Sequence, residues 1–227
     1  MAQPDRTSSR WPGNVMTLTL YFLRHGETTH SRTGGFCGST NPDLTPEGLM
    51  MAEAFAKAYQ STPWAAIFAS PMQRTRTTVR PISEAVGLEP QFREGLRELN
   101  FGEWEDRLPQ EVKEKDGEAY LNWTTEPAWN PPTGGETAVQ VASRAALVVA
   151  EIEDKHTEGN VLIVSHKTTI RIMLCSLLGI DLGRYRDRIA MPVASVSVIQ
   201  FGRLGPMLQR LGDRSYFPEH LHHRAGT

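Results

Sequence analysis

Short, largely apolar segments that stop abruptly at polar residues alternate with helix-like segments along this chain, and this alternation restricts the fold more than any other sequence feature. Apolar runs of this length are typical of strands buried on both faces, as in parallel sheets covered by helices. The sequence therefore predicts an α/β fold, a three-layer α/β/α sandwich with a mostly parallel central sheet and helices on both faces. The clearest runs, with the residues that end them, are Leu18 to Leu23 before Arg24-His25-Gly26, Ala65 to Ala69 before Ser70-Pro71, and Asn160 to Val164 before Ser165-His166.

Helix signals fill the segments between these strands. Thr45 followed by Pro46 is a typical N-cap and first helical residue. Gly87 and Gly179 each follow a helical segment, as glycines at helix C-termini do. The predicted helices run from Pro46 to about Gln60, from Pro71 to about Val86, from Glu136 to Lys155, and from the residue after His166 to Leu178. The other predicted strands are a weak one at Leu96 to Phe101 and a terminal hairpin of Val193 to Phe201 and Met207 to Leu211.

The body of the chain contains no internal repeat and no linker, which predicts a single domain over residues 17–211. Residues 1–16 are polar and without periodicity, so we expect a flexible N-terminal extension, and residues 212–227 form a histidine-rich C-terminal tail. The terminal hairpin could present an exposed strand edge. A homodimer formed through that edge is therefore a candidate assembly.

The composition excludes several classes of function. The 227 residues are 39% hydrophobic and carry 24 Lys+Arg against 26 Asp+Glu, a balance typical of globular proteins and without the basic stripe that nucleic acid requires. No apolar run approaches the roughly 20 residues of a membrane span. The first residues lack the apolar core of a secretory signal, and two cysteines cannot build a disulfide framework. We therefore expect a cytoplasmic protein without nucleic-acid or membrane partners.

The polar residues that end the predicted strands point to a single binding site. Ligands of open parallel sheets bind beyond the carboxyl ends of the strands, where these segments meet. Arg24, His25 and His166 would converge there, together with Arg74 from the helix that follows Ser70. Two guanidinium groups, two imidazoles and two helix N-termini would attract an anion. The sequence therefore predicts a pocket for a phosphoryl group.

Six segments, in order along the chain, carry a resemblance to a known family. They are Leu23-Arg24-His25-Gly26-Glu27-Thr28, Leu44-Thr45-Pro46-Glu47-Gly48, Ser70-Pro71-Met72-Gln73-Arg74-Thr75, Leu96-Arg97-Glu98-Leu99 with Phe101-Gly102-Glu103-Trp104-Glu105, Gly134-Gly135-Glu136, and Val164-Ser165-His166. From about Leu18 to Phe201 the chain resembles the histidine phosphatase superfamily, also called the phosphoglycerate mutase-like family. The resemblance implies an enzyme acting on a small phosphorylated metabolite, with no metal and no cofactor.

The resemblance also implies roles for the catalytic residues. His25 matches the nucleophile that attacks phosphorus and forms a phosphohistidine. Arg24, Arg74 and His166 match the residues that bind the phosphoryl oxygens. Glu98 matches the general acid, which would protonate the leaving oxygen and then deprotonate the attacking water.

Substrate contacts are expected from the first loop and from the residue after His166. In the first loop the expected contacts come from Thr28, His30, Ser31, Cys37 and Gly38. Ser31 stands where the family usually has an asparagine. After His166 the family usually has glycine, and here Lys167 adds a cation. We interpret this lysine as a partner for a second anionic group, such as a carboxylate.

Hydrolysis is a better interpretation than a mutase reaction. Mutases of the family carry a long basic insertion, whereas the segment between Trp104 and Gly134 is short and acidic. The sequence predicts a metal-independent phosphomonoester hydrolase, with L-phosphoserine as the best substrate, and the segment Glu219 to His223 as a lid over the site. The alternatives are a phosphoglycerate mutase and a weakly active regulatory or binding member of the superfamily.

Overall fold

The structure, a computed structural model, describes residues 17–224 and contains a six-stranded sheet in the order β3-β2-β4-β1-β5-β6. Strands β1 to β4 run parallel to one another, β5 is antiparallel to β1, and β6 is antiparallel to β5. The strands are β1 Leu18–Arg24, β2 Trp64–Ala69, β3 Gln91–Phe92, β4 Gly159–Ser165, β5 Val196–Gly202 and β6 Gly205–Asp213. The mostly parallel sheet predicted from the sequence is therefore confirmed.

Helices cover both faces of this sheet. They are α1 Thr29–Thr33, α2 Pro46–Tyr59, α3 Gln73–Val86, α4 Pro109–Lys115, α5 Gly117–Thr125, α6 Ala138–Lys155, α7 Lys167–Leu178, α8 Tyr185–Arg188 and α9 Glu219–His222. Alternate residues of β1 face opposite layers, because successive strand side chains point to opposite sides of a sheet. Phe22 belongs to the core built with α6 and α7, whereas Leu23 packs with Phe55 of α2 and Val79 of α3. The three-layer prediction is confirmed.

The strand predicted at Leu96 to Phe101 is wrong. The edge strand is the shorter β3, and a 3-10 turn over Glu94–Leu96 follows it before the chain continues as a loop. The carbonyls of Gly95, Arg97 and Glu98 accept hydrogen bonds from the Arg144 guanidinium instead of a neighbouring strand. These carbonyls are therefore satisfied by a side chain 46 or more residues away in the sequence and not by the backbone N–H groups of a neighbouring strand.

Two predicted helices begin two residues too early. The helix predicted from Pro71 begins at Gln73, and the helix predicted from Glu136 begins at Ala138. Thr137 is the N-cap of α6, where its hydroxyl accepts a hydrogen bond from the Gln140 N–H. The Glu136 carboxylate accepts hydrogen bonds from the Asn100 N–H and from the Arg144 guanidinium. Glu136 itself lies before the N-cap of α6.

The terminal hairpin predicted from the sequence is confirmed as β5 and β6, with β6 at an edge of the sheet. Homodimerisation through this edge stays a prediction. The predicted N-terminal extension, residues 1–16, lies outside the described residues. Within residues 17–224, no helix combines the length and the apolar character that crossing a membrane would require.

Candidate active site

The carboxyl ends of three parallel strands bring the predicted site residues together. Arg24 at the end of β1 is paired in register with Ser165 at the end of β4, and the His25 N–H donates to the Ser165 carbonyl at 3.0 Å. The His25 and His166 rings lie next to each other, with centroids 5.2 Å apart. The sheet thus joins segments that are far apart in the sequence, as predicted from the strand ends.

His25 is held as a neutral imidazole of defined tautomer. Its Nδ1 lies 2.8 Å from the Gly26 carbonyl oxygen, which can only accept a hydrogen bond, so Nδ1 carries the proton. The lone pair is therefore on Nε2. Burial, followed by the positive charges of Arg74 and Arg24, holds the pKa of His25 well below its usual value. Gly26 cannot carry a side chain, because a Cβ would lie 2.5 Å from the Gly48 carbonyl oxygen.

His166 lies behind the site and does not line the cavity described below. Its Nδ1 accepts a hydrogen bond from Arg74 Nε at 3.0 Å, so Nε2 carries the proton and donates to Ser70 Oγ at 2.8 Å. Burial and the neighbouring Arg74 hold the pKa of His166 well below its usual value. Both ring nitrogens are therefore engaged by protein groups.

The two arginines of the site are buried but bonded very differently. Arg74 donates to His166, to the Thr40 carbonyl at 2.8 Å, and to two further carbonyls of the same loop. Arg24 donates from Nη1 to the Met191 carbonyl at 2.7 Å, while its buried Nε has no hydrogen-bond partner among the described residues. Burial lowers the pKa of Arg24 to about 9.

Glu98 lies at the amino end of α7. Its carboxylate accepts hydrogen bonds from the N–H groups of Thr168 at 3.1 Å, Thr169 at 3.1 Å and Leu99 at 2.9 Å. This corrects one expectation from the sequence. These first N–H groups of α7 are donated to Glu98 and not to a ligand, which places a carboxylate at the positive end of the helix.

Thr28 and Ser31 form a reciprocal cap at the start of α1. The Thr28 N–H donates to Ser31 Oγ at 2.9 Å, and the Ser31 N–H donates to Thr28 Oγ1 at 3.2 Å. The Ser31 hydroxyl also donates to the Thr28 carbonyl at 3.0 Å. Both residues line the cavity, and their hydroxyls keep the first loop in place.

Two predicted substrate contacts are not brought into the site. His30 Nε2 forms a hydrogen bond with the Asp106 carboxylate at 2.7 Å, and His30 does not line the cavity. The Gly38 N–H donates to the Glu105 carboxylate, at 2.9 Å to one oxygen and 3.1 Å to the other. Cys37 does line the cavity, and burial raises the pKa of its thiol to about 11, so the thiol stays protonated at neutral pH.

Sequence reasoning missed the part played by Glu105. Its carboxylate accepts N–H groups from Gly38, Ser39, Thr40 and Phe101, which joins the first loop to the segment after Glu98. The motif that ends in Glu105 contains the residue but gives no sign of its partners. The partners in the first loop lie more than 60 positions earlier in the sequence.

The site contains a cavity of about 550 Å³, which is within the usual size range of small-molecule sites. The predicted residues that line it are Arg24, His25, Thr28, Ser31, Cys37, Arg74, Glu98 and Lys167. Sequence reasoning did not single out Arg171, Tyr185 and Arg186, which also line it. Helical spacing from Lys167 was the signal that could have identified Arg171. Within residues 17–224, no group of three or more His, Cys, Asp or Glu side chains could hold a metal ion.

The described part of the histidine-rich tail does not line this cavity. Leu221 is buried with Phe217 against Met51 of α2. Arg224 forms ion pairs with Glu27 at 2.9 Å and with Glu47 at 2.8 Å. None of residues 212–224 lines the cavity. The lid predicted from the sequence therefore has no support in this part of the chain.

Comparison with known proteins identifies the family. The model of the histidine phosphatase superfamily (branch 1) matches residues 20–214. Phosphoserine phosphatase 1 of Hydrogenobacter thermophilus is 32% identical over 74% of this chain and 80% of its own length. Adenosylcobalamin/alpha-ribazole phosphatase of Salmonella typhimurium is 27% identical over 71% of this chain and 80% of its own. Bacillus stearothermophilus YhfR has a similar structure, with a TM-score of 0.81, 27% identity, and coverage of 88% of this chain and 98% of its own. The chain therefore belongs to the histidine phosphatase superfamily and is a phosphatase of its branch 1.

Proposed function

We propose that the protein hydrolyses a small phosphomonoester through a phosphohistidine on His25. The observation that carries the proposal is the tautomer of His25, whose Nδ1 proton is held by the Gly26 carbonyl so that Nε2 keeps its lone pair. Nε2 attacks phosphorus and the bond from phosphorus to the ester oxygen breaks. Glu98 donates a proton to that oxygen, and the alcohol leaves.

The second half of the reaction restores the enzyme. Water attacks the phosphohistidine, Glu98 takes the proton of the water, and the bond between phosphorus and Nε2 breaks to release inorganic phosphate. Three backbone N–H groups fix the Glu98 carboxylate at the edge of the cavity, and in this proposal it exchanges the proton from that position. No metal takes part in either step of this proposal.

Arg24 and Arg74 stabilise the negative charge on the phosphoryl oxygens. A guanidinium has five N–H donors, and Arg74 uses four of them on protein acceptors, which leaves one on Nη1 for a ligand. Arg24 has more donors to offer, since its side chain makes only one hydrogen bond to residues 17–224. In this proposal His166 is a positioning residue, which holds Arg74 through Nδ1 and does not itself touch the phosphate.

The intermediate can be tested directly. The wild-type protein, quenched in base during turnover of p-nitrophenyl phosphate in EDTA, should carry phosphate on one histidine, found by mass spectrometry at His25. His25→Ala should show no phosphoenzyme and a rate at least about 10³-fold lower. His30→Ala is the matched control, because His30 lies outside the cavity. Phosphate on another residue, or activity that EDTA abolishes, would contradict the proposal.

We propose L-phosphoserine as the first substrate to test. The support is the 32% identity to a relative named phosphoserine phosphatase 1. Phosphate release from L-phosphoserine should exceed release from sugar phosphates and from α-ribazole phosphate, the substrate type named for a 27% identical relative. Conversion of 3- to 2-phosphoglycerate would instead support the mutase alternative, and no turnover of any compound would support a binding or regulatory role.

A further inference from the structure

Three basic side chains of the cavity form no ion pair within the described part of the chain. Lys167, Arg171 and Arg186, here called the basic wall, all line the cavity. Among residues 17–224, none of the three forms an ion pair or donates a hydrogen bond, and both Arg171 Nε and Arg186 Nη1 are buried without a partner. Buried charge without a counter-ion is costly. The fold therefore keeps positive charge here that no ion pair among the described residues neutralises, and the nearby Glu98 carboxylate offsets only part of it.

The three cations also repel one another. Burial, with the charges of Arg24 and Arg171, lowers the pKa of Lys167 to about 7. Burial also lowers the pKa of Arg171, and Arg186 lies near enough to contribute. Two acidic residues line the cavity, Glu98 and Asp187. The Glu98 carboxylate already accepts N–H groups of α7, and Asp187 lies 3.8 Å from the guanidinium of Arg184.

Two neutral donors of the cavity lining also have no hydrogen-bond partner in the part of the chain that the structure describes. Tyr185 is only 1% exposed, yet its hydroxyl makes no hydrogen bond among the described residues, and the same holds for Trp123 Nε1. The guanidinium of Arg186 lies 3.7 Å above the Trp123 ring, which fixes its position. Both neutral residues line the cavity. Unsatisfied buried donors are uncommon in folded proteins, and here they belong to residues that line the same cavity as the basic wall.

Two cations of the basic wall lie on one helix, in a cavity with room for more than a phosphoryl group. Lys167 and Arg171 are four residues apart and share one face of the helix, about 6 Å from each other along its axis. The cavity of about 550 Å³ is also far larger than a phosphoryl group requires. The cavity therefore has room for more of a substrate than its phosphoryl group, and the basic wall lines the same cavity.

We propose that the basic wall binds a second anionic group, a carboxylate or a second phosphate, on the leaving group of the substrate. The substrates are then phosphomonoesters that carry such a second anion. The proposal rests on the proposed function in one respect, since the first phosphate must lie at His25. L-Phosphoserine meets the requirement through its carboxylate.

The test compares ligands that differ by one anionic group, bound to His25→Ala protein so that no turnover occurs. The pairs are 3-phosphoglycerate with glycerol 3-phosphate, for the carboxylate, and fructose 1,6-bisphosphate with fructose 6-phosphate, for the phosphate. Titration calorimetry should show at least about tenfold tighter binding of the doubly anionic member in one pair or both. The pair that responds identifies the anion.

Matched variants show whether the basic wall is the cause. In the His25→Ala background, Arg171→Gln and Arg186→Gln should each bring the affinity ratio close to one. Arg188→Gln, an exposed arginine of the same short helix as Arg186, should keep it. Two arginine variants are used because either could disturb folding, which circular dichroism would reveal.

The outcomes separate this proposal from the proposed function. A ratio near one for both pairs, or a ratio that survives in both arginine variants, overturns the basic-wall proposal. If wild type releases no phosphate from any ligand or from p-nitrophenyl phosphate, while the affinity ratio holds and the arginine variants remove it, the proposed reaction fails and the anion site stands.

Discussion

The two ends of the cavity differ in how their charges are partnered. At the catalytic end, Arg74 makes four hydrogen bonds within the protein, and Glu98 accepts three backbone N–H groups. At the basic wall, Arg171 and Arg186 make none among the described residues. The first arrangement fixes atoms in position before substrate arrives, as catalysis requires. The second supplies charge that makes no hydrogen bond or ion pair among the described residues, which suits recognition of a ligand that brings its own counter-charge.

This comparison predicts opposite effects on stability for two arginines of the same cavity. Arg74→Met should lower the free energy of unfolding by about 3 kcal/mol, because several buried acceptors lose their donor. Arg171→Met should leave it unchanged or raise it, because an unpartnered charge is removed from a repulsive cluster. Urea denaturation followed by fluorescence would measure both.

Helix α3, which contains Arg74, also offers a control for this prediction. Arg80→Met, at an exposed position of α3, should change the free energy of unfolding by less than about 0.5 kcal/mol. Arg74→Met should also lower kcat/KM for p-nitrophenyl phosphate by about 10²-fold or more. If Arg171→Met destabilised the protein as much as Arg74→Met, the proposed contrast between a hydrogen-bonded Arg74 and an unpartnered Arg171 would be wrong.

The next largest effect is a pH dependence from Lys167. With a pKa of about 7, its ammonium is charged below pH 7 and neutral above it. Binding of a second anion should therefore weaken as pH rises from 6 to 8. The ratio of KM for glycerol 3-phosphate to KM for 3-phosphoglycerate should fall several-fold over this range, because the titration of the shared phosphate largely cancels.

The same lysine affects stability in the opposite sense. Its folded-state pKa lies below the value of 10.5 for an ordinary lysine, so the unfolded chain binds more protons between pH 7 and 10.5. The Lys167 contribution to the free energy of unfolding therefore rises with pH across this window. Lys167→Gln should remove both pH dependences, and a ratio that still changed with pH in this variant would point to another group.

The smallest expected effect concerns the C-terminal tail. Arg224→Gln should lower the free energy of unfolding by about 1 kcal/mol, because Arg224 pairs with Glu27, which is 1% exposed, but is itself partly in solvent. Thermal unfolding would measure this loss. The preference for doubly anionic ligands should stay unchanged, because residues 212–224 do not line the cavity. A lost preference would restore the lid predicted from the sequence.

The sequence predicted the fold, and it predicted that the strand ends bring Arg24, His25 and His166 together, for local reasons. Strand runs that end in polar residues located His25 and His166, and the Thr45-Pro46 signal predicted the start of α2 correctly. The predicted strand near Leu96 failed because its carbonyls bond to Arg144, a distant side chain. The capping of α7 by Glu98 was not predicted either, since it depends on a contact across 70 positions.

The sequence by itself determined the layers of the fold, the strand ends that carry the site and the family, because apolar periodicity and short motifs act over a few residues. Tertiary structure decided which polar groups are already satisfied. In the folded protein the Gly38 N–H donates to Glu105, and His30 forms a hydrogen bond with Asp106. Arg171 and Arg186 form no ion pair among the described residues. The physical reason is that hydrogen bonding and charge pairing depend on distances between residues far apart in the chain, which no local pattern records.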